Sequence, residues 1–131
     1  MSIVVFHNES CGTSRNTLEM IKQSGETPVV INYLEEGWTR PQLLALFAAA
    51  DLTPRDALRT TKSPAEQLGL LDESVSDEHL LDAMIEHPVL VNRPIVCSPK
   101  GVRLCRPSEK VYALLDNPPA EFVKEDGEKI S

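Results

Sequence analysis

At 131 residues, 41% hydrophobic and 25% charged, the chain has the composition of one folded domain with a core large enough to stand alone. Twenty Asp and Glu against thirteen Lys and Arg leave a formal charge of -7, which argues against binding nucleic acid or an anionic membrane through net charge. An anionic small molecule is not excluded, because charges farther apart than roughly 8 Å are screened at physiological ionic strength and a few local arginines outweigh a diffuse total. The opening MSIVVFHN lacks the basic start and long apolar segment of a signal peptide, and the longest apolar run, LLALFAAA, is too short to span a bilayer, so a cytoplasmic location is expected.

In chain order, SIVVF is a short β-branched and aromatic run that reads as a buried strand. SRNTLEMIKQSG follows as a helix with Leu18 and Ile21 on one face and Gly25 as its stop, and TPVVINYL reads as a second strand. Strand, helix, strand favours a parallel pair with a right-handed crossover. The middle of the chain changes character, with four helix-start signals in succession: Thr39 with Gln42, Thr53 with Pro54, Ser63 with Pro64 and Glu66, and Ser76 before DEHLLDAMIEH. A helical insertion at about 39–88 is expected, with Leu43, Leu44, Leu46 and Phe47 supplying one apolar face and Leu80, Leu81, Met84 and Ile85 another.

Two apolar runs then flank Pro99-Lys100-Gly101, which reads as a hairpin turn. A last helix, SEKVYALL, ends at Asn117-Pro118-Pro119, and the charged tail beyond is expected to be loosely held. No repeat, low-complexity block or long linker divides the chain. The expected architecture is α/β: a single domain over 1–131, with a small mixed sheet built from βαβ and then a β-hairpin and helix, and a helical insertion between the halves.

Of three cysteines, Cys11, Cys97 and Cys105, no two are spaced as a CxxC pair, and the odd number makes a poor disulfide framework. Cys11 sits where the first helix begins, so unpaired backbone N–H groups and the positive end of the helix dipole would stabilise its thiolate. A free thiol titrates near ~8.5, and a helix start with cationic neighbours lowers that value, which makes Cys11 a candidate nucleophile. His7, four residues earlier, would add positive charge. Cys97 and Cys105 lie in apolar strand contexts and read as passive packing, out of register with each other across the hairpin.

Four arginines stand out by position. Arg93 and Arg106 each precede a proline, at the start and end of the hairpin, Arg59 follows a short capped segment, and Arg15 lies in the first helix facing solvent. A guanidinium fork suits a tetrahedral oxyanion, because paired N–H donors match two oxygens at once.

HNESCGTSRNTLEMI, LRTTKSPAEQLGL, HPVLVNRPIV and RLCRPSE, in this order, resemble the glutaredoxin-coupled arsenate reductases, and the likeness runs from Ile3 to about Lys129. The resemblance implies a thioredoxin-like fold with a helical insertion and an enzyme that reduces arsenate to arsenite for arsenic detoxification. It implies Cys11 as nucleophile, His7 as a group that keeps it ionised, and Arg59, Arg93 and Arg106 as the residues that hold arsenate and its thiol adduct. Ser14 and the backbone of Gly12 and Thr13 would donate hydrogen bonds to thiolate or oxyanion, and Pro94 would be a cis-proline facing the thiol. It implies no bound cofactor and no metal, glutathione as co-substrate, glutaredoxin as protein partner, and a monomer. Ser14 stands where a dithiol enzyme carries its second cysteine, so the second thiol must come from outside.

Three other readings compete. A redox-sensing transcription regulator of the same fold, acting on RNA polymerase, would carry a CxxC switch, whereas this chain has Cys11-Gly12-Thr13-Ser14. A monothiol glutaredoxin with an iron–sulfur cluster matches the CGTS quartet and little else. A phosphatase-like reductase loop needs Arg six residues after the cysteine, where this sequence has Thr17.

Overall fold

A computed structural model describes residues 2–131. The elements run β1 Val4–His7, α1 Gly12–Gln23, β2 Val29–Asn32, a single turn α2 Tyr33–Glu36, α3 Arg40–Ala50, α4 Asp77–Glu86, β3 Ile95–Ser98, β4 Gly101–Leu104, β5 Phe122–Val123 and β6 Lys129–Ile130. Short 3-10 helices occupy Pro88–Leu90 and Ser108–Leu114. The chain forms two compact units, one made of the residues up to Asn32 together with Arg93–Ser131, the other of Tyr33–Asn92.

The first unit is built on a four-stranded mixed sheet in the order β2-β1-β3-β4. β1 pairs parallel with β2, Val4 opposite Val29 and His7 opposite Asn32, and antiparallel with β3, Val5 opposite Val96. The βαβ unit and the later hairpin expected from the sequence are both present. Ser98 faces Gly101 across the β3–β4 pair, leaving Pro99 and Lys100 as the two turn residues. Gly101 takes a φ of 141°, a conformation that side chains rarely adopt.

The buried positions of α1 are Ser14, Thr17, Met20 and Ile21, three or four residues apart on one face. Leu18, expected on that face, lies half-buried at its edge. The first two turns bury hydroxyls instead, and the Thr17 hydroxyl is satisfied by donating to the Thr13 carbonyl at 2.8 Å. Ile3, Val5, Met20, Ile21, Val96, Cys105, Val111, Leu114, Leu115 and Phe122 form one apolar core in this unit.

Two expectations for the C-terminal part are corrected. SEKVYALL is a 3-10 helix, and its buried residues, Ser108, Val111 and Leu114, recur every three positions, the period of that helix. The tail after Pro119 is docked rather than loose: β5 and β6 pair as a small hairpin, and Phe122 is only 4% exposed. The Lys124 ammonium, its side chain 9% exposed, pairs with Glu109 and Glu128, both at 2.9 Å. Lys124, Glu125 and Glu128 of the tail are thus held in ion pairs, which a composition-based reading does not see.

In the second unit, two of the four start signals open real helices. Thr39 and Gln42 form a reciprocal capping box before α3, and the Ser76 hydroxyl accepts the His79 N–H before α4. Arg40 ties the two together through ion pairs to Glu78 and Asp82. The other two signals also form their capping bonds but open no helix. Thr53 and Asp56 exchange side-chain-to-backbone bonds, yet one turn later Leu58 is drawn into a bridge with Val91. After Ser63 one turn closes between the Leu68 N–H and the Pro64 carbonyl, and Gly69 at φ 73° ends it. The Arg55 guanidinium holds the following loop by donating to the carbonyls of Leu70, Asp72 and Val75 at 2.5, 3.0 and 3.2 Å.

If Phe122 anchors the tail, Phe122→Ala should lower unfolding stability by about 3 kcal/mol, as for other buried aromatic truncations. It should also open the segment after Pro119 to proteolysis. An unchanged denaturation midpoint and cleavage pattern would show that the hairpin adds nothing to the core.

Candidate active site around Cys11

β1 delivers the chain to a tight loop. Cys11 closes it by donating its N–H to the Asn8 carbonyl at 3.0 Å, and the Ser10 N–H binds Asn8 Oδ1 at 2.9 Å. Ser14, fully buried one turn into α1, accepts the Asn8 N–H on its Oγ at 3.2 Å. The side chain at the position of a second cysteine therefore fastens the loop. Asn8, 5% exposed, organises three of these bonds and was not singled out from sequence; its signal was only that of a turn-forming residue.

Cys11 is the N-cap of α1, with extended backbone at φ -102° and ψ 121°, and is 7% exposed. Burial alone would raise the pKa of its thiol. The Ser14 backbone N–H, the Arg93 charge and the Arg106 and Arg93 guanidinium N–H groups act the other way, and together they hold the thiol below its ordinary value.

The arginines reach the sulfur from the two ends of the β-hairpin. Arg106 Nη1 lies 3.8 Å from Cys11 Sγ and also donates to the Arg93 carbonyl at 3.0 Å, which fixes its guanidinium in place. Arg93 precedes Pro94 through a cis peptide bond, and Pro94 accepts the Cys105 N–H at 2.9 Å. The cis bond implied for Pro94 is present, and Arg106-Pro107 is also cis, which nothing in the sequence reading anticipated.

The structure thus brings Cys11, Ser14, Arg93 and Arg106 together. Gly12 and Thr13 open α1 beside them, half-buried. Arg59 belongs to the second unit, where its N–H donates to the Leu90 carbonyl at 2.7 Å and its Nε to the Thr61 carbonyl at 3.0 Å.

His7 does not fit the role of a positive charge. It is buried at the end of β1, and burial, followed by smaller charge effects, lowers its pKa, which favours the neutral imidazole near neutral pH. Arg15 faces solvent as expected, and there its guanidinium pairs with the equally exposed Glu125. All three cysteines are free. Burial pushes the Cys97 thiol up and the Cys105 thiol up to about 12, so neither is a thiolate near neutral pH. Among the described residues no group of three His, Cys, Asp or Glu is arranged to hold a metal ion, and no helix is long and apolar enough to cross a membrane.

The chain is similar to known proteins along most of its length. The model of the ArsC family matches residues 6–114. An arsenate reductase of Synechocystis sp. is 67% identical over 98% of this chain and 92% of its own length, and one from Escherichia coli K12 is 50% identical over 98% and 92%. A solved structure of an arsenate reductase from Vibrio cholerae superposes with a TM-score of 0.83 at 38% identity, covering 88% of this chain and 98% of its own. With the family model spanning most of the chain and relatives half or more identical over nearly its whole length, this chain belongs to the ArsC family.

Proposed function

We propose that the protein is an arsenate reductase that converts arsenate to arsenite through an adduct on Cys11, with glutathione and glutaredoxin as the electron source. The observation that carries this reading is the Cys11 sulfur held 3.8 Å from Arg106 and within the field of Arg93, in a chain half or more identical to arsenate reductases along nearly its whole length. A thiolate attacking an arsenate dianion meets charge repulsion, and fixed guanidinium groups offset it as the bond forms. Arg93 and Arg106 take that role. Arg59 is assigned as the third arginine on the strength of the resemblance.

In the first step the Cys11 thiolate attacks arsenic, and an arsenate oxygen leaves as water after protonation. Glutathione then adds its sulfur to the same arsenic with loss of a second water. A glutaredoxin thiolate attacks the glutathione sulfur, the sulfur–arsenic electron pair stays on arsenic, and As(V) becomes As(III). The two thiols leave as a mixed disulfide, which balances the two electrons gained. Water then releases arsenite and restores Cys11. Ser14 suits this sequence because no second thiol stands one turn along to intercept the adduct. The proposed chemistry uses a free Cys11 thiol, and a reducing compartment such as the cytoplasm supports that reading.

Cys11→Ser should abolish arsenate reduction, whereas Cys97→Ser and Cys105→Ala should each retain most of it. Omitting either glutathione or glutaredoxin should stop turnover. A large loss in either of the latter variants would mean an internal thiol relay, and turnover without the outside thiols would rule out the proposed coupling.

The attacking form is the thiolate, so its reactivity is present above the lowered thiol pKa and lost as pH falls through it. Alkylation of Cys11 followed against pH should show a midpoint below that of a free thiol, and Arg106→Gln should move it up by about one unit. A midpoint indifferent to Arg106 would separate the guanidinium from the ionisation of the sulfur.

A further inference from the structure

The loop that carries Cys11 is tied from inside by Asn8 and Ser14, but one of its backbone groups is held from outside. The Glu9 carbonyl, in an exposed stretch, accepts Arg15 Nη1 at 2.8 Å. The other edge of the same guanidinium is gripped by both oxygens of Glu125, Nε to Oε2 at 2.8 Å and Nη2 to Oε1 at 2.9 Å. Glu125 lies in the turn between β5 and β6, and its own N–H donates to Asn16 Oδ1 at 3.1 Å, so two successive α1 residues seat it. The pair lies against the first residue of the helix: a methyl group placed on Gly12 would be 3.6 Å from Arg15 Nη2 and 4.0 Å from Glu125 Oε1.

A lone exposed arginine samples many rotamers, and a carbonyl by itself is a weak anchor for it. A bidentate carboxylate changes that, because two parallel charge-assisted bonds fix the plane of the guanidinium and leave the third nitrogen aimed in one direction. Here that direction is the Glu9 carbonyl, two residues before the nucleophile. We propose that Glu125 is a positioning residue for Cys11: through Arg15 it locks the 8–11 loop, so that the docked C-terminal hairpin is part of the catalytic apparatus and not only of the core. The inference deepens the proposed arsenate reductase reading by adding a residue to the same site. It concerns the presentation of the thiol, and so has a readout that does not depend on arsenate.

The groups acting on the sulfur are the Ser14 N–H, Arg93 and Arg106, with Arg15 a further cation from α1. His7 and Glu9 lie on the approach to the loop, and Glu125 is the carboxylate beyond Arg15. Loss of the Glu125 carboxylate has two opposite consequences. If Glu125 acts only through space, removing its negative charge makes the thiolate easier to form and lowers the midpoint of Cys11 alkylation. If it acts by positioning, the loop loosens, the sulfur spends less time against Ser14 and Arg106, and the midpoint rises.

The test uses the full chain, with iodoacetamide as probe and the modified cysteine identified by mass. Glu125→Gln should raise the midpoint by about half a unit, roughly a threefold loss of thiolate below the midpoint. Arg15→Gln should raise it at least as much, and the double variant should go no further than Arg15→Gln alone. Lys124→Gln is the control, since it weakens the same hairpin through Glu109 and Glu128 without touching Arg15. It should lower the melting temperature and leave the midpoint in place. An unchanged or lowered midpoint in Glu125→Gln, or an equal rise in Lys124→Gln, would overturn the proposal. Should the chain fail to turn over arsenate, the alkylation profile still reports on Glu125.

Discussion

The site depends on a contest over one sulfur atom. Cys11 is almost wholly out of water, and burial opposes the charge that makes a thiol useful as a nucleophile. The opposition is overcome by a backbone N–H at the start of α1 and by two guanidinium groups reaching in from a different part of the sheet. A helix terminus alone is a modest and screened effect. Direct contact with a cation inside a partly desolvated pocket is stronger, because the surrounding dielectric is lower.

That contact explains why a protein with a net charge of -7 can be organised around an anion. Its positive charge is concentrated by topology. β3 and β4 form a hairpin beside β1, so residues at the entry and exit of the hairpin, Arg93 and Arg106, return to the end of the sheet where β1 hands over to α1. The Arg106 bond to the Arg93 carbonyl then makes the two ends of the hairpin one structure. Several carboxylates are occupied by cations elsewhere, Glu109 and Glu128 with Lys124, Glu125 with Arg15, Glu78 and Asp82 with Arg40.

The second unit shows how far local signals carry. Each of the four capping signals makes its side-chain-to-backbone bonds, but only two are followed by a helix of ten or more residues. A cap supplies partners for the first N–H groups and has no influence on what happens a turn later. There a bridge between Leu58 and Val91, or a glycine at positive φ, decides the outcome. Arg55, which looks like an ordinary surface charge in the sequence, holds three carbonyls of the loop that replaces the expected helix.

Much of the site was legible without coordinates, because Cys11 at a helix start, two Arg-Pro pairs flanking a hairpin and Ser14 in place of a thiol are all local patterns. The strands and α1 were equally readable, since alternation and helical spacing are properties of neighbouring residues. What sequence did not convey was everything set by residues far apart. His7 reads as a cation until burial at the end of β1 disfavours its charge, Arg15 reads as an unpartnered surface charge until Glu125 arrives from 110 residues away, and the charged tail reads as loose until Phe122 finds the core. Local bonding preference is written in adjacent side chains. Ionisation, pairing of distant charges and docking of an end depend on what the folded chain brings alongside, and only the tertiary structure decided them.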